Sequence, residues 1–235
     1  PQTMRQQTVF VAGAEAQIGR HCRSLVGLYD TAGWWPAKSR FEVMAGAVLV
    51  QNTRWTNVVP ALRALRQAGA LQAQRLAGMP EVDVSELIRS AGCQTVKAKR
   101  LRSLATTVCS IGGVRRLAVL PTDSLRGRLL ATHGVGFETA DAILAFAFDR
   151  PVFIADGYAR RWFTRMGLCQ QPPRYGALKA AVEAALPAHC SQLRQLHAAI
   201  VLHGQQRCGK QPDCQRCGLR RNCRAGLTAS RGSGR

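Results

Sequence analysis

Acidic residues are scarce in this sequence: 13 Asp and Glu stand against 33 Lys and Arg in 235 residues, a formal charge of +20. That imbalance argues against a basic partner and suits a polyanion, most often nucleic acid, with an anionic membrane surface as the alternative. Long apolar runs are missing as well. The run Gly46 to Val50 falls far short of the ~20 residues that cross a bilayer as a helix. No basic-then-apolar leader opens the chain, so we expect a cytoplasmic, nucleoid-associated protein with no membrane partner. Period-two alternation is also lacking, which argues against a sheet, and no repeat of fixed length points to a solenoid. Hydrophobic residues still make up 46% of the chain, enough to bury a core, so the basic charge does not mark a disordered tail.

What the chain does hold is helical spacing. Apolar residues recur at Phe41, Met44, Ala45, Val48 and Leu49, then at Val58, Val59, Leu62 and Leu65 before Gly69. Val82–Ala91, Ala98–Cys109, Leu178–Leu186 and Ser191–Leu202 repeat the pattern, and Pro121-Thr-Asp opens a further helix with Leu125, Leu129 and Leu130 on one face. The expected fold class is all-α. Residues 224–235, rich in Gly, Ser and Arg, are expected to fray.

A hairpin interrupts two of these helices. Helical Ser124–Ala131 gives way to His133-Gly134-Val135-Gly136, and a helix resumes at Phe137. Two glycines allow a reversal that other residues would strain, and they bare backbone N–H groups at a helix N-terminus, where a phosphate oxygen is favoured. Val135 between them would pin the loop to the core. A Gly-x-Gly turn between helices is also a common structural device. Here it is followed by Thr139-Ala140, by the apolar stretch Ala142–Phe148, and by Asp156 just ahead of a helix that runs to Met166. In that order the sequence resembles the endonuclease III superfamily of helix-hairpin-helix DNA glycosylases, from about Trp34 to Cys223.

The resemblance implies a two-domain fold: a helical domain over residues 38–152 ending in the hairpin, and residues 1–37 joined to 153–235. Duplex DNA carrying a damaged base would lie between them, bound by a monomer. It implies backbone contacts from Gly134, Val135, Gly136 and Thr139. It also makes Asp156 the catalytic carboxylate, since breaking an N-glycosidic bond leaves an oxocarbenium-like sugar that an ionised acid stabilises while orienting water. As an alternative, Asp156 is a helix N-cap, and the two roles are compatible. Glu138 departs from the superfamily's familiar pattern. Members that nick the backbone carry a lysine there, whose amine forms a Schiff base; a glutamate cannot, so the resemblance implies a monofunctional enzyme. Glu138 is placed with Asp156 as a candidate site acid, facing it across the cleft, or else is a solvated first-turn acid.

Three of the four tryptophans come early, in Trp34-Trp35-Pro36 and at Trp55 after Gln51-Asn52-Thr53. Enzymes that act on a base draw it out of the stack, and flat aromatic faces replace its neighbours and attract a cationic base. With Phe41-Glu42-Val43, Lys97-Ala98-Lys99-Arg100-Leu101 and Glu138–Leu144, these residues look like the 3-methyladenine DNA glycosylase branch. In that branch the tryptophan–proline segment and the aromatic after Gln51 line the base pocket; Trp34, Trp35, Pro36, Gln51, Asn52 and Trp55 are therefore the expected pocket. An alkylated purine carries positive charge and leaves without a general acid, which suits this set; deaminated, oxidised or mismatched bases, or lesion binding without turnover, remain the alternatives.

Cys208, Cys214, Cys217 and Cys223 form C-x5-C-x2-C-x5-C. Four clustered thiolates hold a zinc ion or a [4Fe–4S] cluster, and spacing alone leaves both open. The resemblance implies the iron–sulfur cluster in a C-terminal loop. Residues 207–235 hold eight Lys and Arg against Asp213 alone, so that loop is expected to position DNA and not to perform redox chemistry.

Overall fold

Thirteen α-helices account for most of the residues described by the computed structural model, which are 10–232, with side chains through 229. In chain order they are α1 (Ala14–Val26), α2 (Arg40–Leu49), α3 (Trp55–Gln67), α4 (Ala73–Gly78), α5 (Glu81–Leu87), α6 (Gln94–Ser110), α7 (Val114–Ala118), α8 (Thr122–Leu130), α9 (Phe137–Phe148), α10 (Gly157–Met166), α11 (Tyr175–Ala185), α12 (Cys190–Gln206) and α13 (Arg224–Gly232). Among the described residues there is no strand, only an isolated bridge between Phe10 and Cys169. The all-α expectation therefore holds. None of these helices is long and apolar enough to cross a membrane. The chain divides into two compact units, Trp35–Arg150 and the remainder.

In the Trp35–Arg150 unit, α2 and α9 form the centre. Every residue of α2 from Phe41 to Leu49 is buried, so its apolar residues have neighbours all round instead of one polar face. Its start is fixed by polar chemistry: Ser39 Oγ accepts from the Glu42 amide at 3.2 Å, and the Glu42 carboxylate accepts from the Lys38 amide at 3.2 Å. This reciprocal cap satisfies N–H groups that a helix end otherwise leaves unpaired. Arg66 of α3 completes an ion pair with the buried Glu42. Lys97 is equally buried; its Nζ donates to Leu49 O at 2.9 Å and Ala91 O at 2.7 Å. Burial lowers its pKa. The amine thus ties the end of α2 to the turn before α6.

The other unit gathers α1 and α10–α13 around Ile18, Leu25, Phe153, Trp162, Phe163, Leu178, Val182, Leu196 and Ile200. Burying one such side chain contributes roughly 1.5–3 kcal/mol. Helix α1 was not singled out in the sequence, yet Ile18, Cys22 and Leu25 are buried at helical spacing. The fraying expected of residues 224–235 is corrected over most of its length: Arg224–Gly232 is helical, while residues 233–235 lie outside the described residues. Composition misled because what holds α13 is local packing. Leu227 N donates to Cys223 O at 2.9 Å, and Gly226 sits against the Arg220 backbone, where a side chain has no room.

Candidate DNA-repair site

The hairpin joins α8 to α9. Val135 is 6% exposed and its amide donates to Thr132 O at 3.1 Å, so the loop is pinned to the core as its position between the glycines suggests. Only the first glycine is required by conformation. Gly134 has φ +82°, a left-handed backbone, and a Cβ there would collide with the Arg100 side chain. Gly136 is extended, with φ −92° and ψ −178°, and a Cβ would meet open space; as N-cap it gives α9 no side-chain cap. Gly136 and Glu138 are exposed, whereas Thr139 is 7% exposed.

Gln51 is bound to this hairpin. Its Nε2 donates to Gly134 O at 3.0 Å and to Thr139 Oγ1 at 2.9 Å, while its Oε1 accepts from Arg100 Nη1 at 2.6 Å. One amide therefore satisfies three elements: the hairpin, α9 and α6. Its neighbour Asn52 is exposed and left-handed, with φ +54°, a conformation that Asn tolerates better than most residues. The loop between them leads to Trp55 at the start of α3. Trp55 packs edge-on against Trp35, centroids 5.1 Å apart, and Trp35 in turn lies 4.9 Å from Phe146 of α9. Gly46 of α2 forms the floor: a Cβ there would lie 3.4 Å from both indoles. The buried Trp35 Nε1–H has no hydrogen-bond partner. Pro36 is exposed. Trp34 falls in the other unit, half-buried, with its amide donating to Thr31 O at 3.2 Å.

Asp156 is the N-cap of α10, and only 6% of it is exposed. Its Oδ1 accepts from the Ala159 amide at 2.7 Å. Burial pushes its pKa up to about 6, against the opposing pull of the Ala159 and Tyr158 amides and the Arg161 guanidinium. A carboxyl shifted toward neutrality by burial is suited to accepting a proton near the working pH.

Cys208, Cys214, Cys217 and Cys223 all line one cavity, with Trp162 and His203 in its wall. Burial raises the pKa of Cys217 and Cys223, and the neighbouring cysteines add to it. Arg165 Nη1 lies 3.3 Å from Cys208 Sγ, and Tyr29 Oη is 2.8 Å from His203 Nδ1. The buried Trp162 Nε1–H has no hydrogen-bond partner. Among the described residues no three His, Cys, Asp or Glu side chains converge tightly enough to hold a single metal ion.

Two residues near the hairpin escaped the sequence reading. Asp141, fully buried on α9, takes a two-pronged bond from Arg126 of α8 at 2.7 and 3.1 Å. The pair clamps the two hairpin helices, and breaking a buried pair costs roughly 3–5 kcal/mol. The signal was an acid inside an apolar helix. Phe146, the third ring beside Trp35, was hidden in the apolar run that follows.

The family described as HhH-GPD superfamily base excision DNA repair protein matches residues 45–188, more than half of the chain. The Methanocaldococcus jannaschii protein MJ1434, whose name places it among DNA repair glycosylases, is 37% identical over 202 residues, spanning 85% of this chain and 92% of its own. Endonuclease III of Sulfolobus acidocaldarius is 25% identical over 186 residues, 78% of this chain and 81% of that protein. The fold is shared with the H. pylori 3-methyladenine DNA glycosylase MagIII bound to 1,N6-ethenoadenine, at a TM-score of 0.71 and 24% identity over 82% of this chain and 97% of that one. Likeness of this depth and extent shows common descent: the chain belongs to the HhH-GPD superfamily of base excision DNA repair proteins, as a DNA glycosylase.

Proposed function

We propose that this glycosylase hydrolyses the N-glycosidic bond of alkylated purines such as 3-methyladenine in duplex DNA, acting as a monomer and leaving an abasic site without cutting the strand. The observation that carries the reading is Asp156: a buried carboxyl at the N-terminus of α10, its Oδ1 held by the Ala159 amide at 2.7 Å. In this mechanism the carboxylate stabilises the sugar cation as the bond to the base breaks and orients the water that attacks C1′. No general acid is needed because a methylated purine already carries the positive charge of a good leaving group. Trp35, Trp55 and Phe146 offer aromatic faces to the extruded base, an arrangement worth about 0.5–2 kcal/mol for a cationic ring. The 3-methyladenine specificity in the name of the MagIII fold neighbour points the same way. Glu138 supplies no amine, and Lys97 is occupied by two backbone carbonyls, so neither residue favours the Schiff-base route. Bare backbone at Gly136, together with Gly134, Val135 and Thr139, would hold the DNA phosphates.

The four cysteines would hold a [4Fe–4S] cluster. The fit rests on a shared cavity lined by all four thiols and on the unpartnered indole N–H of Trp162 in its wall, a donor suited to cluster sulfur. Such a cluster supplies a rigid cross-link for the Arg-rich loop; the loop itself presents its cations to the DNA backbone. Purified protein is expected to be brown with stoichiometric iron and sulfide, and Cys217→Ser to lose both; a colourless protein with stoichiometric zinc overturns the assignment.

The decisive assay is base release from methylated duplex DNA, with and without alkali. The reading requires release of methylated purines with strands intact until alkali. Nicking without alkali overturns the monofunctional mechanism. Tight lesion binding without release identifies a damage-binding module, and release from another lesion panel member alone replaces the substrate.

A further inference from the structure

The six residues that deliver Asp156 to its place, 151–156, form neither helix nor strand. Val152, Phe153, Ile154, Ala155 and Asp156 are all below a tenth exposed, so their backbone needs partners other than water. One partner comes from a different helix. The amide of the fully buried Phe153 donates to Glu183 Oε1 of α11 at 2.7 Å. Lys179, one turn earlier on α11, pairs with that same oxygen. An exposed i,i+4 pair alone is a weak ornament. This carboxylate differs in being aimed at a buried backbone N–H only three residues ahead of Asp156, and hydrogen bonds to charged groups are among the stronger ones.

We propose that Glu183 is a positioning residue for the glycosylase reaction, anchoring the Phe153 amide and so holding the segment that presents Asp156. The inference rests on the reading of Asp156 as the carboxylate that acts on the sugar. With the anchor in place, the extended segment has one register, and the cap of α10 and the reacting oxygen are placed together. Without it, the Phe153 amide is left buried and unpaired, and the segment shifts to find another acceptor. Small displacements of a reacting group lower rates steeply while leaving ligand binding intact.

Three Glu183 variants separate position from charge and from folding. Glu183→Ala removes the acceptor. Glu183→Asp keeps the charge but withdraws it by one methylene. Glu183→Gln keeps an oxygen acceptor at the right reach without the charge. Each is assayed, as full-length protein, for single-turnover base release, for affinity to lesion DNA, and for exchange of the Phe153 amide by NMR. Glu183→Ala and Glu183→Asp are expected to slow release about 10- to 100-fold, with DNA affinity within about two-fold of wild type and faster Phe153 exchange. Glu183→Gln is expected to restore most of the rate and the protection. Should Glu183→Ala not fold, Glu183→Asp decides. A wild-type rate in Glu183→Asp, or a Glu183→Gln variant as slow as Glu183→Asp, overturns the anchor. Asp156→Asn runs alongside: full activity there defeats the reading of Asp156 itself, whereas an inactive Asp156→Asn beside normal Glu183 variants defeats only the anchor.

Discussion

Helices α9 and α10 follow one another in the chain and begin in opposite ways. Helix α10 opens on Asp156, whose own buried side chain closes the Ala159 amide. Helix α9 opens on exposed Gly136, which has no side chain to close anything. Both starts carry the same partial positive charge from the helix dipole. In α10 that charge is spent inside the protein, steadying an acid that burial would otherwise neutralise. In α9 the N-cap supplies no such group, and the acid of its first turn is the exposed Glu138. In the proposed reading the same physical feature would serve reaction at one site and grip at the other, and the two starts differ in a single N-cap residue.

The comparison breaks most sharply at Asp156. Asparagine caps helices about as well as aspartate, so Asp156→Asn keeps the fold of α10 while removing the charge. Base release is expected to fall by about 10³-fold with DNA binding retained; a wild-type rate would show that Asp156 is a cap and nothing more. Transplanting the α10 solution onto α9 comes next. Gly136→Asp gives α9 a side-chain cap and puts a negative charge where the proposed phosphate contact would lie, and is expected to weaken binding to undamaged duplex about ten-fold and flatten its salt dependence. Titration gives an effect of similar size. With Asp156 raised to about 6, the carboxylate form is lost as pH falls through that value, so kcat/KM at pH 5 is expected to be about ten-fold below that at pH 7. An acid limb near pH 4 would argue against a buried catalytic carboxylate. The mildest test separates the two hairpin glycines. Gly136→Ala fits without strain and is expected to bind within about two-fold of wild type, while Gly134→Ala is strained and crowds Arg100, costing about 1–2 kcal/mol of stability.

Much of this was legible in the sequence because the signals were local. The hairpin lies within four consecutive residues, the α10 cap lies beside the helix it opens, and the core helices carry their spacing in their own windows. What escaped involved residues distant in the chain. Gln51 stands in sequence beside the pocket aromatics, yet its amide binds Gly134 and Thr139 on a later element. Asp141 has its partner, Arg126, on the preceding helix, fifteen residues away in the chain. Glu183 gives no sign in sequence that it reaches back to Phe153. The tail at 224–232 was misjudged because Gly and Arg promote disorder on average, whereas here the glycine is what lets α13 sit against the Arg220 backbone.

The buried acid has a consequence for how such a protein changes over generations. A carboxyl whose pKa stands at about 6 in the folded chain against an ordinary 3.8 opposes folding wherever it is charged. The penalty is absent below about pH 4, grows as pH rises between the two values, and is complete above the higher one, on the order of 3 kcal/mol. Asparagine escapes it while still capping α10, so melts of Asp156→Asn should match the parent near pH 4 and exceed it at pH 7. Drift under selection for stability alone therefore runs from aspartate to asparagine at this position. Keeping aspartate here at that cost is what its proposed role in the reaction would require.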